Sequence, residues 1–488
     1  MEFSQNLLDT LIQDLPLVSG PLVLFLIATI MLWPCDLFVP KHAKKVWAPL
    51  TLGALVLVGT AVVMTPEGSG FSNMFRMDGF TRGFQLLCTA AAFITVLLSQ
   101  SQLNALREQT VEYYALILYS LAGMQLLAGA TDLVTVYFSI ELMALCIYIL
   151  VAYLRTHERS IEAGTKYFLL GAFSSGILLY GMSLLFAAGG GTTTNLAALN
   201  EQLALTSSNA NLLVFAGVLM VLVGFGFKVA AVPFHMWSPD AYEGAPTPIT
   251  AFMSMAPKAA ALAAFLRVFG TGLESVHSSW AAPLSFIAAA SMILGNVAAL
   301  RQQSIKRMLA YSSIAHVGYM LLGVLSRYTQ GGSQAVWLYM LTYLLMQSGA
   351  FAVVIHLQGT GEGERLEDFR GLARRKPALA FAMMVFMLSL AGIPPLLGFF
   401  SKFYLFMLAI RQGQYLLTTI ALLTSAVAAY YYLNVVNLMY FKERTDEAEA
   451  RPLGGAMTLV IGCACAMILV GTCFGPWLLD WARRITWL

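Results

Sequence analysis

The sequence predicts an all-α integral membrane protein, and three observations carry that prediction. Of its 488 residues, 59% are hydrophobic and only 11% are charged, against roughly 25% charged residues in ordinary soluble domains. The mean hydropathy is +0.74. The apolar residues form continuous runs about as long as the roughly 20 residues that cross a bilayer as a helix. This composition excludes a soluble enzyme, a disordered chain, a disulfide scaffold and a nucleic-acid-binding protein.

The apolar runs follow one another along the whole chain, with short polar connections between them. A membrane β-barrel would instead show short segments of alternating hydrophobicity. We therefore expect one polytopic membrane domain over 1–488, without a separate soluble domain. Fourteen spans are predicted near 16–38, 47–64, 79–99, 113–130, 132–153, 162–188, 211–236, 247–270, 280–299, 304–325, 335–357, 378–410, 415–440 and 456–480.

The distribution of lysine and arginine predicts the orientation. We take the N-terminus to lie outside, which places every second connection between spans inside. The inside connections then carry 17 of the 28 Lys and Arg residues and the outside segments carry 6, and the others lie within spans. Basic residues are enriched in the inside loops of membrane proteins. Both termini are therefore expected outside, and the compact length and arginine-rich inside loops favour a bacterial inner membrane.

Sequence motifs for bound cofactors or metals are absent. "GFGFK" at 224–228 lacks the Gly-Lys-Ser/Thr ending of a P-loop, and the chain has no HExxH motif. Cys463 and Cys465 are too few for a zinc or iron–sulfur site. We expect no metal and no redox cofactor in this chain.

Five ionisable residues within the predicted spans are the candidates for function. On insertion scales a lysine at mid-helix costs roughly 2.5–3.5 kcal/mol, so four of them cost on the order of 10 kcal/mol. Such residues should face the bundle interior, pair with each other or line water. They are Glu141 in the fifth span, Lys166 in the sixth, Lys228 in the seventh, Lys258 in the eighth and Lys402 in the twelfth.

Two of these lysines lie beside predicted helix breaks. Lys228 lies in "GFGFKVAAVPFH", and Lys402 follows "LAGIPPLLGFFS". Glycine and proline disfavour an uninterrupted helix, and interrupted spans in corresponding positions of two halves are typical of inverted-repeat transporters. The two lysines are 174 residues apart, which favours such a repeat.

The remaining candidates are less specific. His235 follows the first break and His316 lies close to the position 174 residues after Glu141; each is a side chain suited to proton transfer or a satisfied packing histidine. Pro257 precedes Lys258 and predicts a kink in the eighth span. Lys166 lies near the inside end of its span, where it either pairs with Glu141 or extends to the interface.

A series of buried lysines suits a proton or cation path, because removal from water disfavours the charged form of the amine. Moving one charge against 100 mV costs about 2.3 kcal/mol, which switching between neighbouring charged groups can supply. The residues indicate such a path without indicating its energy source.

Three segments resemble the antiporter-like membrane subunits of respiratory complex I, the proton-pumping NADH:quinone oxidoreductase. They are "GFGFKVAAVPFHMWSPDAYEGAPTPITAFMSMAPK" at 224–258, "RQQSIKRMLAYSSIAHVGYMLLG" at 301–323 and "LSLAGIPPLLGFFSKFYLF" at 388–406. The resemblance covers roughly 110–440. "PDAYEGAPTPITAF" and a lysine, rather than a glutamate, in the twelfth span favour the subunit N branch.

The resemblance implies a role for each matching residue. Glu141 matches the glutamate that tunes the lysine of the first half-channel, Lys228 that lysine, Lys258 the central lysine and Lys402 the lysine leading to the opposite side. Lys166 and His235 match auxiliary positions. The resemblance assigns no role to His316, which is a candidate because of its position in the tenth span.

The resemblance also implies an organisation in repeats. Three N-terminal spans over 1–110 would precede a first repeat over 111–275 (spans 4–8), an inverted second repeat over 276–440 (spans 9–13) and a last span over 441–488, with broken helices at spans 7 and 12.

The function implied is proton translocation, as a subunit of a translocase that couples quinone reduction in partner subunits to proton movement along buried Lys, Glu and His residues. FMN, iron–sulfur clusters and quinone would belong to those partners, and the chain would contact other membrane subunits and lipids. The alternatives are a subunit of a multi-subunit cation/proton antiporter, a subunit of a related energy-converting hydrogenase-type complex, and a structural subunit with vestigial channels.

Overall fold

The structure is a computed structural model that describes residues 12–32, 46–106, 110–205, 211–326, 331–359, 361–443 and 453–485. Several basic residues on which the predicted orientation rests lie outside the described residues, namely Lys41, Lys44, Lys45, Arg107, Arg327, Arg444 and Arg451.

The architecture is a bundle of long helices. We number its main helices α1 Ser19–Leu32, α2 Trp47–Met64, α3 Gly79–Leu106, α4 Val111–Gly129, α5 Leu133–Val151, α6 Glu158–Ala188, α7 Asn211–Val229, α8 Thr247–Arg267, α9 His277–Ala299, α10 Ile305–Leu325, α11 Gly332–Gln358, α12 Pro377–Ala391, α13 Leu397–Arg411, α14 Tyr415–Phe441 and α15 Gly455–Gly471.

Shorter elements connect these helices. They are a hairpin of β1 Gly68–Gly70 and antiparallel β2 Phe75–Met77, and four short helices at Leu196–Ala204, Trp237–Gly244, Leu372–Arg375 and Gly475–Ile485. The hairpin was not predicted, because each of its strands has only three residues, fewer than the roughly four to eight over which alternation indicates a strand.

Among the described residues, thirteen helices are long and apolar enough to cross a membrane. The predicted all-α integral membrane fold is thereby confirmed. The apolar run at 378–410 is not one helix but two helices of 15 residues, α12 and α13. Whether these two cross the membrane together, which would make fourteen spans, stays a prediction.

Both predicted helix breaks are present. Helix α7 ends at Val229, because Pro233 has no N–H to donate to the carbonyl of that residue. Helix α12 ends at Ala391, and Gly392 caps it with a positive φ of 83° that favours glycine. By contrast, α8 continues as a helix through Pro257.

Burial separates a central group of helices from the perimeter. Every residue of α8 is buried, since α3, α4, α7 and α11 pack around it. Helices α10 and α11 are almost as enclosed, whereas α1, α6, α9 and α14 each leave a face exposed. A charged side chain on α8 therefore faces protein on all sides rather than lipid.

Candidate functional site

The first charged cluster joins α5, α6 and α7. The Nζ of Lys228 lies 3.6 Å from Oε1 of Glu141, and only 2% of the lysine side chain is exposed. The Ser175 hydroxyl donates a hydrogen bond to that same Oε1 and accepts one from Lys228 at 3.2 Å. Lys228 also donates to the Tyr148 hydroxyl at 3.4 Å. Ser175 thus bridges an ion pair whose direct separation exceeds a normal hydrogen bond.

The helix break determines where Lys228 lies. Lys228 is in the last turn of α7, and the chain then leaves the helix through Ala230, which has a positive φ of 60°. Side chains contact two backbone groups at the break: Val232 N–H donates to the Ser291 hydroxyl, and Trp237 Nε1 donates to the Phe227 carbonyl. Irregular backbone at membrane depth is tolerated only where protein or water satisfies it in this way.

The second position is Lys258 on the fully enclosed helix α8. Its Nζ donates a hydrogen bond to the Ser313 hydroxyl of α10 and lies 5.7 Å from the centre of the Tyr242 ring. In the described part of the chain, no carboxylate lies within 4.0 Å of this ammonium group. A neutral hydroxyl and an aromatic face therefore replace the carboxylate found at Lys228.

The third position is Lys402 on α13, just after the second break. Its Nζ donates to the carbonyls of Leu390 and Ala391 at 2.8 and 3.1 Å and to the Ser425 hydroxyl at 3.3 Å. These are the last carbonyls of α12, which have no partner within their own helix. They carry the negative end of the helix dipole, so the broken helix itself supplies the counter-charge.

His316 lies between the second and third positions. Ser313, His316 and Tyr319 are spaced three residues apart on α10 and so share one face of the helix. Ser313 contacts Lys258, and the Tyr319 ring lies 5.3 Å below Lys402. Between them, His316 contacts the hydroxyls of Tyr339 and Tyr432 at 2.7 and 3.2 Å through its two ring nitrogens. One face of α10 therefore carries polar groups from one buried lysine to the next.

The two auxiliary residues lie outside this line. Lys166 pairs with Glu162 at 2.6 Å and with Asp240 at 3.2 Å, and 47% of its side chain is exposed. Of the two alternatives for Lys166, extension to the interface is therefore the one the structure shows, and the basic partner of Glu141 is Lys228 instead. His235 is half-buried, and its Nδ1 has no hydrogen-bond partner among the described residues.

Asp240 links this surface cluster together. Its carboxylate accepts hydrogen bonds from Lys166 at 3.2 Å and from Arg307 at 2.8 Å. Partial burial raises the pKa of Asp240, but the hydrogen bonds from Arg307 and Lys166 and their positive charges outweigh burial and hold the pKa below its ordinary value.

The hydroxyl groups at the site were missed in the sequence. Ser175, Ser313 and Ser425 each bind a buried lysine. Serine is common at helix contacts in membranes, so these residues gave no signal of their own. Pairs of serines within apolar spans, such as Ser174–Ser175, were the available hint. Among the described residues, no group of three or more His, Cys, Asp or Glu could hold a metal ion.

Comparison with known proteins gives consistent matches. Residues 130–428 match the family model described as NADH:quinone oxidoreductase/Mrp antiporter, transmembrane. NADH-quinone oxidoreductase subunit N of Trichlorobacter lovleyi is 42% identical over 459 residues, covering 92% of this chain and 93% of that protein.

Two solved structures share the architecture. A chain of respiratory complex I from Thermus thermophilus with bound aureothin matches with a TM-score of 0.80 and 34% identity, covering 94% of this chain and 98% of that chain. A chain of the Mrp complex from Dietzia sp. DQ12-45-1b matches with a TM-score of 0.75 and 20% identity, covering 98% and 96%. The second likeness shows the fold alone.

Proposed function

The chain belongs to the NADH:quinone oxidoreductase/Mrp antiporter transmembrane family, and from that membership we propose that it is the proton-translocating subunit N of a NADH:quinone oxidoreductase. The observation that carries the proposal is the set of three buried lysines, two of them beside helix breaks. Ser175 links Lys228 to Glu141, and hydroxyl and imidazole groups on one face of α10 lie between Lys258 and Lys402. Its likeness to subunit N of another bacterium favours this assembly over an antiporter.

The proposed path runs from Lys228 through Lys258 to Lys402. Protons enter near Lys228 from the inside, cross the bundle along α8 and α10, and leave by Lys402. At each position the protein offers polar contacts to an ammonium group while burial disfavours its charge. The balance allows each lysine to gain and lose a proton when a neighbouring charge changes.

Glu141 is the group through which the rest of the complex acts. With its carboxylate paired to Lys228, the ammonium form of the lysine is favoured; when that pairing weakens, Lys228 releases its proton towards Lys258. Ser175 holds the two groups together without a direct hydrogen bond, so a small displacement of α5 relative to α6 is sufficient to change their coupling.

The position of Glu141 also favours a partner against α5. About 23% of the Glu141 side chain is exposed, on a helix whose outer face presents Phe138, Leu145 and Ile149. A charged carboxylate facing lipid is costly. A neighbouring membrane subunit covering this face removes that cost and places its own charges near Glu141.

Electron transfer belongs to partner subunits in this proposal. When bound there, FMN, iron–sulfur clusters and quinone supply the redox chemistry, and the residues of this chain hold and move protons. The subunit is placed in a bacterial inner membrane with both termini outside, as the distribution of basic residues favours. The two halves 111–275 and 276–440 are proposed as inverted repeats.

The experiment is lysine substitution in the intact complex. A complex purified through a tag on this chain should contain flavin and reduce quinone with NADH. Lys258→Ala and Lys402→Ala should lower the number of protons pumped per electron in reconstituted vesicles. Unchanged pumping in both variants contradicts the path, and a tagged complex without flavin contradicts the assembly.

A further inference from the structure

Two polar cavities lie side by side at the ends of the bundle helices, around Arg307. The smaller cavity, about 260 Å³, has a balanced lining of three basic and three acidic side chains. The larger cavity, about 390 Å³, has only two acidic side chains, Glu243 and Glu364. Its basic lining residues number five: Arg159, Arg301, Lys306, Arg307 and Arg365. We call this larger space the basic cavity.

The basic cavity is held together by backbone contacts between two connections. Leu366 N–H donates to the Gln303 carbonyl at 2.8 Å, and Ile305 N–H donates to the Glu364 carbonyl at 3.1 Å. These bonds fix the α11–α12 connection against the start of α10. As a result Arg301 and Arg365, which are far apart in the sequence, line the same cavity.

Positive charge in the basic cavity is not fully neutralised. Arg307 is paired with Asp240 at 2.8 Å and Glu243 at 2.9 Å, and Arg159 lies 4.0 Å from Glu364. Lys306 is 6% exposed and donates to the Ala245 carbonyl at 2.8 Å.

Three of the five basic groups form no ion pair in the described part of the chain. In the part of the chain that the structure describes, no carboxylate lies within 4.0 Å of Lys306, Arg301 or Arg365. Lys306 is buried and Arg301 and Arg365 are exposed. The excess of basic over acidic side chains around one cavity favours an anion in the space between them.

We propose that the basic cavity binds the phosphate group of an anionic membrane lipid. Arginine and lysine donors match phosphate oxygens, and basic pockets between transmembrane helices bind anionic lipid headgroups. Helices α6 and α10 begin and α9 and α11 end around this cavity, so it lies at the depth of the headgroups. The proposal is independent of the proton path.

Neighbouring apolar surface favours a lipid over free phosphate. Val297 lies on the last turn of α9 and Leu300 directly after that helix, before Arg301, and both are exposed. A lipid bound through its phosphate can lay an acyl chain along these residues, which free phosphate cannot use. The volume of about 390 Å³ exceeds that of a single water, roughly 30 Å³, by enough to admit a glycerophosphate headgroup.

The test uses the complex purified through a tag on this chain and then delipidated. The complex is titrated with cardiolipin in phosphatidylcholine nanodiscs, and native mass spectrometry counts the anionic lipids bound. Arg301→Gln combined with Arg365→Gln should weaken one binding site roughly 30-fold. The control is Arg370→Gln with Arg374→Gln, which removes the same charge from residues already paired to Glu367 and Glu443 and should leave binding unchanged.

Three results overturn the proposal. They are wild-type affinity in the cavity variant, an equal loss in the control variant, and displacement of the lipid by inorganic phosphate alone, which assigns the cavity to free phosphate. Arg301→Lys with Arg365→Lys should restore most of the binding. Retained NADH:quinone reductase activity shows that each variant is assembled.

Discussion

The lysines beside the two broken helices, one before its break and one after, have different electrostatic surroundings. Lys228 faces the carboxylate of Glu141 at 3.6 Å, whereas Lys402 faces the carbonyls that end α12 at 2.8 and 3.1 Å. A carboxylate can be displaced or protonated, but a helix terminus keeps its dipole. The first lysine is therefore open to control by a neighbouring group, and the second is held by the fold itself.

The largest effect should come from removing the carboxylate that only the first lysine has. Glu141→Gln leaves Lys228 buried without a counter-charge. Breaking a fully buried pair costs about 3 kcal/mol or more, and we expect a smaller cost here because 23% of the Glu141 side chain is exposed. We expect pumping per electron and the thermal stability of the complex both to fall. Pumping is measured in vesicles and stability by thermal melting of the purified complex.

The matched control for that change is Glu112→Gln, which neutralises an exposed glutamate at the start of α4. It should alter neither quantity. Equal pumping in the Glu141 and Glu112 variants would show that the carboxylate does not control Lys228. A double variant with Lys228→Gln should be less destabilised than the sum of the single changes, because the uncompensated charge is then gone.

The second lysine is expected to be sensitive to its backbone instead. A Cβ added at Gly392 would lie 2.9 Å from Cδ of Lys402, and the residue has φ 83°. Gly392→Ala therefore strains the backbone by about 1–3 kcal/mol and pushes Lys402 from the carbonyls. The proton pumping that accompanies each quinone-reductase turnover should fall, as measured in reconstituted vesicles.

Gly413→Ala separates strain from displacement. Gly413 has a similar φ of 76°, and the nearest atom to an added Cβ is 4.0 Å away. This variant should lose some stability and keep its pumping ratio. If both alanine variants pump equally well, the close approach of Gly392 to Lys402 has no functional role.

A smaller effect is expected from the hydroxyl that bridges Glu141 and Lys228. Ser175→Ala removes hydrogen bonds worth about 1–3 kcal/mol where charged groups are involved, while both charges remain. Because coupling between them weakens, the pH at which turnover is half-maximal should shift, as read from rate against pH. Ser174→Ala is the control, since that buried hydroxyl has no partner among the described residues; an equal shift in both contradicts the bridging role.

The smallest effect is expected at the surface cluster that no buried lysine contacts. The pKa of Asp240 is held below its ordinary value. The stability that its ion pairs with Lys166 and Arg307 contribute is therefore fully present at pH values above the ordinary aspartate pKa, and it is lost as the pH falls through the lowered pKa. Asp240→Asn should therefore lower stability slightly and leave the pH profile of turnover unchanged near neutral pH. A shift of that profile would place Asp240 in the path.

Much of the fold followed from local features of the sequence. Apolar runs as long as a bilayer is thick predict spanning helices with little dependence on tertiary context, and Pro233 and Gly392 end their helices for reasons that lie within a few residues. Pro257 does not end α8, which continues as a helix to Arg267; the kink predicted at this proline stays a prediction. The hairpin at 68–77 was missed because its strands of three residues are too short for an alternating pattern to be recognised.

The sequence by itself determined that this chain lies in a membrane, which residues are too polar to face lipid, and where two helices break. Each of these depends on composition or on neighbours along the chain. Tertiary structure alone decided the partners: Glu141 with Lys228 rather than Lys166, the carbonyls of α12 with Lys402, and one face of α10 between Lys258 and Lys402. Which side chains become partners depends on the depth and rotation of the packed helices. A span of only about 20 residues can lie at many depths in the bilayer until packing against neighbouring helices fixes its position.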